Sequence, residues 1–161
     1  MYKNKNCGEP NSSDVGSEII VAGWVNRRRD HGNLIFIDLR DKSGVLQVVF
    51  NPELSSDAHD IASDLRSEWV VQIKGEVVKR ISGAENDSIS TGSIELQAIE
   101  IKILNKSKTP PFEISNEIEI DDQTRLAYRF IDLRRPKMQK LFTLRHKITK
   151  LIWDYLSDRD F

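Results

Sequence analysis

Residues 19–50 read IIVAGWVNRRRDHGNLIFIDLRDKSGVLQVVF, which is three β-rich runs separated by two polar segments. The runs cover residues 19–29, 34–40 and 45–51, and the segments between them are Asp-His-Gly-Asn and Asp-Lys-Ser-Gly. Gly, Asn and Asp are the residues that tight turns between antiparallel strands favour. This stretch therefore predicts three consecutive antiparallel strands.

A helix and two further strands follow. Asn51 can cap and Pro52 can open a helix, whose apolar residues recur at helical spacing: Leu54, Ala58, Ile61 and Leu65. Strands are predicted at about residues 69–80 and 94–104, on either side of a loop rich in Gly, Ser and Asn. The order β-β-β-α-β-β is that of the OB-fold, a mostly β, five-stranded barrel that binds single-stranded nucleic acid or saccharide in many proteins. We predict this fold for residues 1–104.

Beyond the barrel the composition changes. Residues 105–120 contain Pro110 and Pro111, which exclude both a helix and a central strand, so this segment is predicted to be a linker. In residues 121–161 we predict a helix up to Ile131 and a longer one opened by Pro136, with an apolar stripe at Leu141, Leu144, Ile148, Ile152 and Tyr155. A segment of about 40 residues is too short for a core of its own. We interpret it as the start of a truncated domain of a longer protein. The apolar stripe then lacks the surface against which it would pack.

Strand alternation separates core residues from surface residues. Successive side chains of a strand point to opposite faces, so the faces that are apolar throughout are predicted to form the core: Ile35, Ile37 and Leu39, with Leu46, Val48 and Phe50. Phe36 and Gln47 then lie together on the outer face, and Arg27 and Arg29 project from one face of the first strand. A phenylalanine can stack a base for ~1–3 kcal/mol, an amide can read a base edge, and guanidinium groups can meet phosphates. These residue types on one surface predict binding of single-stranded nucleic acid.

A purely structural interpretation of the same residues stays open. An outward phenylalanine also packs beneath loops, and arginines at a strand end also discourage aggregation of sheets. Glu95 alternates with Ile94 and Leu96, as does any residue on the solvent side of a half-buried strand. A histidine in a turn, such as His31, ordinarily has no functional role. Trp24 and Trp69 occur in strand patterns, which favours a core position over a binding platform.

Composition and charge exclude several classes of protein. Apolar residues make up 39% and charged residues 30% of the 161, and the formal net charge is −1, so any nucleic-acid contact must be local rather than a bulk electrostatic effect. One cysteine and three histidines leave almost nothing for a disulfide or a metal site. The sequence contains no apolar run of ~18 residues and no signal peptide, which predicts a cytoplasmic protein without membrane association. No catalytic constellation is recognisable, so no residue of the chain is predicted to be catalytic.

The segment Ala22–Asp41 closely resembles the N-terminal anticodon-binding domain of bacterial-type aspartyl-tRNA synthetases. Four further segments resemble that family in its order along the chain: Cys7–Glu9, Val48–Pro52, Thr91–Glu95 and Tyr128–Pro136. The last of these is similar also to lysyl and asparaginyl relatives. The run Gly-Trp-Val-Asn-Arg-Arg-Arg-Asp is what favours the aspartyl family.

The resemblance implies a class II aspartate–tRNA ligase. Such an enzyme forms aspartyl-adenylate from aspartate and ATP with Mg²⁺ and passes the aspartyl group to tRNA(Asp). Residues 121–161 would begin its catalytic domain, and the helix from Pro136 would begin the motif that builds the homodimer interface. The motifs that hold ATP would lie downstream, so these 161 residues are expected to bind tRNA without performing catalysis.

The resemblance also implies roles for particular residues. The family's anticodon contacts correspond to Arg29, to Phe36 stacking on the central uracil, to Gln47 as its hydrogen-bonding reader and to Glu95 at the first anticodon base. In the family, enzymes that charge tRNA(Asn) as well as tRNA(Asp) tend to have the residues found at His31 and Gly83. Two other functions remain open from the residues alone. They are a free-standing single-strand-binding OB protein and an OB module that contacts only other proteins.

Overall fold

The computed structural model describes residues 2–115 and 118–161, so Met1 and residues 116 and 117 of the predicted linker lie outside the described part. The chain divides into two compact units, Met1–Thr109 and Pro110–Phe161. The division between them falls within the predicted linker.

After a short 3-10 helix at Ser12–Asp14, the described residues of the first unit form five strands and one α-helix in the predicted order. The elements are β1 (Glu18–His31), β2 (Leu34–Arg40), β3 (Val45–Phe50), α1 (Ser56–Ser63), β4 (Val70–Lys79) and β5 (Ile94–Asn105). The strands pair in the order β1-β2-β3-β5-β4 and close into a barrel, because the first half of the long strand β1 pairs with β4 and its second half pairs with β2. All neighbours are antiparallel except β3 and β5, which are parallel. The predicted OB-fold is confirmed.

The barrel interior is filled by the strand faces that alternation predicted. Ile35, Ile37 and Leu39 of β2 are buried, as are their counterparts on β3: Leu46, Val48 and Phe50. Helix α1 adds Ala58 and Ala62 to the same core, together with Leu65 just beyond its end. Complete burial of one such aliphatic side chain stabilises a fold by ~1.5–3 kcal/mol, so this interior fixes the barrel on which the outer face is built.

Helix α1 begins later than predicted. Its N-cap is Ser55, whose side chain accepts a hydrogen bond from the Ala58 N–H. Asn51 instead closes a turn, since its side-chain oxygen accepts from the Glu53 N–H and its carbonyl accepts from the Leu54 N–H. The prediction of a helix opened by Pro52 is wrong, because the side chain and carbonyl of Asn51 accept from Glu53 and Leu54 in a turn that precedes the helix.

The two tryptophans of the barrel behave differently from each other. Trp24 is 36% exposed, because Gly23 and Val25 occupy the inward positions of β1, so its predicted core position is wrong. Trp69 is partly buried against the core, and its Nε1 donates to the Ser107 carbonyl at 3.1 Å. The Lys106 ammonium lies 4.9 Å from the Trp69 ring centroid. These contacts hold the residues after β5 against the barrel.

The second unit contains three helices, α2 (Asp122–Ala127), α3 (Arg129–Asp132) and α4 (Pro136–Ser157). The predicted first helix is broken at Tyr128, which has φ −113° and ψ 43°. A small core forms from Phe112, Ile114 and Ile131. The predicted stripe along α4 is exposed, with every member at least 50% accessible: Leu141, Leu144, Ile148, Ile152 and Tyr155. None of the helices in the described residues combines the length and apolar character that a membrane span requires.

Candidate nucleic-acid interface

A β-bulge at Asn26 decides which residues of β1 face outward. Val25 pairs with Leu39 and Arg27 pairs with Asp38, so Asn26 is an extra residue between two consecutive pairs. Opposed residues of an antiparallel pair project on the same face. Because Leu39 points inward and Asp38 outward, Arg27 lies on the outer face of the barrel. Uninterrupted alternation would have placed it on the inner face with Val25.

Arg29 lies at the centre of a hydrogen-bond chain across the outer face. It stands opposite Phe36 in the register, and its Nη2 donates to Asp38 Oδ1 at 2.7 Å and to Gln47 Oε1 at 3.3 Å. The Nε2 atom of Gln47 in turn donates to Glu95 Oε2 at 2.8 Å. Four strands, β1, β2, β3 and β5, thus contribute one side chain each to a continuous polar track, with the half-buried Phe36 ring beside it. We call these residues the outer-face track: Arg29, Asp38, Gln47 and Glu95.

The outer-face track carries chemistry that suits the edges of bases. Its members offer a planar cationic donor, an amide that both donates and accepts, and two carboxylates that accept. The Arg29 side chain is 42% exposed and that of Asp38 20%, so these groups can exchange partners with a bound molecule. Mutual hydrogen bonds hold them in a defined orientation before anything binds.

Of the predicted cations, Arg27 and Arg29 share the outer face and Arg28 does not. Arg27 is exposed opposite Asp38. Arg28 pairs with the inward Ile37, and its Nη1 donates to the carbonyl of Ser63, the last residue of α1, at 2.6 Å. A cation at a helix C-terminus is favoured by the helix dipole, so Arg28 belongs to the scaffold.

Two residues of this surface were not predicted from the sequence: Asp38, a member of the outer-face track, and Arg80, which lies near it. Asp38 pairs with Arg29, and its outward position on β2 was the signal that could have found it. Arg80 follows β4 and is 7% exposed; its Nε donates to the Ile94 carbonyl at 2.9 Å, and its Nη2 is buried with no hydrogen-bond partner among the described residues. Burial lowers the pKa of Arg80, an effect that the nearby charges of Glu95 and Asp38 oppose. An isolated arginine at a strand end carries no sequence signal for such burial.

His31 is the last residue of β1, and Gly83 lies in the loop between β4 and β5. His31 is exposed at the end of β1, immediately before Gly32, which has φ +59°. Gly83 lies in the β4–β5 loop with φ +88°, and its N–H donates to the Glu85 carboxylate at 2.7 Å. A Cβ at Gly83 would meet no atom within 4 Å, so backbone conformation and not space favours glycine there.

The described residues contain no group of three or more His, Cys, Asp or Glu side chains that could hold a metal ion. Cys7 is buried, and burial raises the pKa of its thiol to about 12 with a further contribution from Asp41. A thiol held in its protonated form is a poor nucleophile.

The barrel belongs to a known class of domain. Residues 19–104 match the model of the OB-fold nucleic acid binding domain, and the chain belongs to this family. Residues 121–161 match the model of class II tRNA synthetases of the D, K and N group. Among curated relatives, the chain is 48% identical over its whole length to the aspartate–tRNA(Asp/Asn) ligase of Thermodesulfovibrio yellowstonii and 50% identical to the aspartate–tRNA ligase of Oceanobacillus iheyensis. The resemblance to aspartyl-tRNA synthetases is confirmed.

The chain spans 27% of the length of each of these two relatives. Among solved structures, asparaginyl-tRNA synthetase from Pyrococcus horikoshii complexed with asparaginyl-adenylate superposes with a TM-score of 0.82 at 22% identity. That match covers 97% of this chain and 34% of the other. At this identity the superposition establishes the shared fold.

Proposed function

We propose that this chain is the N-terminal tRNA-binding portion of an aspartate–tRNA ligase and that it recognises the anticodon on the outer face of its barrel. The observation that carries the proposal is the hydrogen-bond chain from Arg29 through Gln47 to Glu95, with Phe36 beside it. The match to OB-fold nucleic-acid-binding domains and the names of the relatives support it.

Each member of the surface suits one part of an anticodon. The Phe36 ring offers a stacking face for the central uracil. Gln47 carries both a donor and an acceptor for the edge of that base, and the Glu95 carboxylate can accept from the N–H groups of a guanine in the first position. Arg29 is held against Gln47 and Asp38 in the free protein, so it is oriented before RNA arrives.

The parent enzyme would form aspartyl-adenylate from aspartate and ATP with Mg²⁺ and transfer the aspartyl group to tRNA in the cytoplasm. The described residues contain no cluster of ligands for a metal ion, so no residue of this chain is assigned to Mg²⁺ or ATP. The exposed apolar stripe of α4 supports a role in a homodimer of the parent, because a continuous apolar helix face favours association.

We further propose that the parent charges both tRNA(Asp) and tRNA(Asn). The two anticodons differ only at the third base, where an imidazole can donate or accept a hydrogen bond and so accommodate either pyrimidine. His31 is exposed at the end of β1, and Gly83 allows a left-handed backbone in the β4–β5 loop. Aminoacylation of both tRNAs by the full-length enzyme tests this. A preference for tRNA(Asp) of roughly a hundredfold in kcat/KM, unchanged by His31→Leu, would refute this role of His31.

Anticodon recognition itself is tested with RNA hairpins. The loop of one hairpin carries the aspartate anticodon GUC and the loop of the other carries GCC. We expect this chain to prefer GUC, and Phe36→Ala to weaken binding by ~1–3 kcal/mol. Tyr2→Ala is the matched control, because that exposed aromatic residue lies outside the surface. Equal binding of both hairpins would favour a general single-strand-binding protein instead.

A further inference from the structure

The bulge at Asn26 selects which arginines reach the RNA-facing surface. If β1 and β2 continued in regular register beyond Val25, Arg28 would stand opposite Phe36, and its two arginine neighbours would face the barrel interior. A slip of one residue exchanges the faces of all side chains that follow. The observed bulge instead pairs Arg29 with Phe36. Bulges re-aim side chains in this way and persist where the structure around them holds them.

Three side chains bracket this bulge. The Arg40 guanidinium donates to the side-chain carbonyl of Asn26, the extra residue, and its Nη2 donates to both carboxylate oxygens of Glu68 at 2.8 and 2.9 Å. The backbone N–H of Glu68 donates to the Val25 carbonyl at 2.7 Å, on the other edge of β1. The bulge is therefore tied on one side through Arg40 and on the other through Glu68. We call Asn26, Arg40 and Glu68 the bulge clamp.

Glu68 is an unexpected residue at its position. Its φ is +65°, a left-handed conformation that is uncommon for residues other than glycine, and its side chain is 7% exposed. A buried ion pair is a weak source of net stability, because desolvation offsets the attraction between the charges. Its best attested use is to specify one register among alternatives. Strained backbone of this kind persists where the surroundings over-determine it.

We propose that the bulge clamp is a set of positioning residues for anticodon recognition, which sets the aim of Arg27 and Arg29. This inference rests on the proposed function. Glu68 is the informative member, because its carboxylate is buried and is linked to the RNA-facing surface through Arg40, while its backbone N–H holds the Val25 carbonyl. Arg40 and Asn26 lie nearer the outer face, where a substitution could act on RNA directly.

The test measures binding of the GUC and GCC hairpins by four forms of the 161-residue chain: wild type, Glu68→Gln, Arg29→Ala and the double variant. We expect Glu68→Gln to weaken GUC binding about tenfold, equivalent to ~1.4 kcal/mol, and to reduce the preference for GUC over GCC. The double variant should lose less affinity than the product of the two single losses, because Glu68 acts in part through that arginine. Glu18→Gln is the control, as it removes an exposed ion pair with Lys74 from the other end of β1.

Multiplicative losses in the double variant, or wild-type affinity and preference in Glu68→Gln, would overturn the inference while leaving the proposed function intact. Absence of any GUC preference in the wild type would overturn the proposed function. Amide hydrogen exchange judges the clamp without RNA: in Glu68→Gln, exchange at residues 25–29 should accelerate about tenfold while β5 stays protected. Unchanged exchange there would refute the clamp. If Glu68→Gln does not fold, Asn26→Ala, which removes the side-chain amide that accepts from Arg40, replaces it in the exchange measurement, where unchanged exchange at residues 25–29 would likewise refute the clamp.

Discussion

Arg28 and Arg29 are adjacent in β1 but project to opposite faces of the strand. We therefore expect a substitution at one to change stability and a substitution at the other to change RNA affinity. Arg28→Ala removes a charged hydrogen bond to the Ser63 carbonyl and a cation from the end of α1. Its side chain is 24% exposed, so we expect a loss of about 1–2 kcal/mol in the free energy of unfolding of the barrel. Its effect on RNA affinity should stay within about twofold, because the guanidinium is directed to the inner side.

Arg29→Ala should show the reverse pattern. Its ion pair with Asp38 is partly solvated, and such pairs contribute ~0–1 kcal/mol to stability. Because we propose that its guanidinium contacts the RNA, this substitution should weaken binding of the GUC hairpin by ~1–3 kcal/mol.

Urea unfolding, followed by intrinsic tryptophan fluorescence, measures stability, and fluorescence anisotropy of a labelled hairpin measures affinity. The reasoning is wrong if Arg28→Ala weakens RNA binding as much as Arg29→Ala while the unfolding midpoint stays unchanged. That result would mean that β1 does not carry the bulge at Asn26 in solution.

Three further predictions concern stability and association. Burial alone would raise the pKa of Asp41, but hydrogen bonds from Lys3, Ser43 and Cys7 outweigh this effect and lower the pKa to about 2. Asp41→Asn should therefore reduce the free energy of unfolding by ~1–2 kcal/mol at neutral pH, after allowance for solvent screening. Because the folded pKa is depressed below the unfolded value of about 3.9, this difference should disappear as the pH falls from about 4 to 2, which urea titrations at several pH values would measure. Asp132→Asn should destabilise the second unit by ~3 kcal/mol in thermal unfolding, since it leaves Arg125 and Arg129 without their buried carboxylate. Ile148→Asp should abolish concentration-dependent self-association in sedimentation experiments, and a monomeric wild type would contradict that expectation.

Much of the candidate site was predictable from alternation. The outward positions of Phe36 and Gln47 follow from the aliphatic residues that flank them in β2 and β3, because a strand has a period of two and only one of its faces can be buried. The contact between Gln47 and Glu95 joins residues 48 positions apart and depends on the parallel pairing of β3 with β5. Pairing over such distances leaves no local pattern in the sequence. Arg80 could be recognised only from the structure, which shows that its side chain is buried.

The sequence by itself determined the order of the elements, the bounds of β2 and the face of each strand that forms the core, because these depend on local propensity and apolar periodicity. The outward orientation of Arg27 and Arg29, which follow Val25 along β1, was decided only by the tertiary structure. Their orientation depends on an extra residue, Asn26, and a bulge is a property of two paired strands and the groups that hold them. The same argument applies to Ser55, which caps α1 only because Asn51 is already engaged in a turn. Asn51 is the cap that local chemistry predicts, whereas the helix that begins after Ser55 packs Ala58 and Ala62 into the barrel.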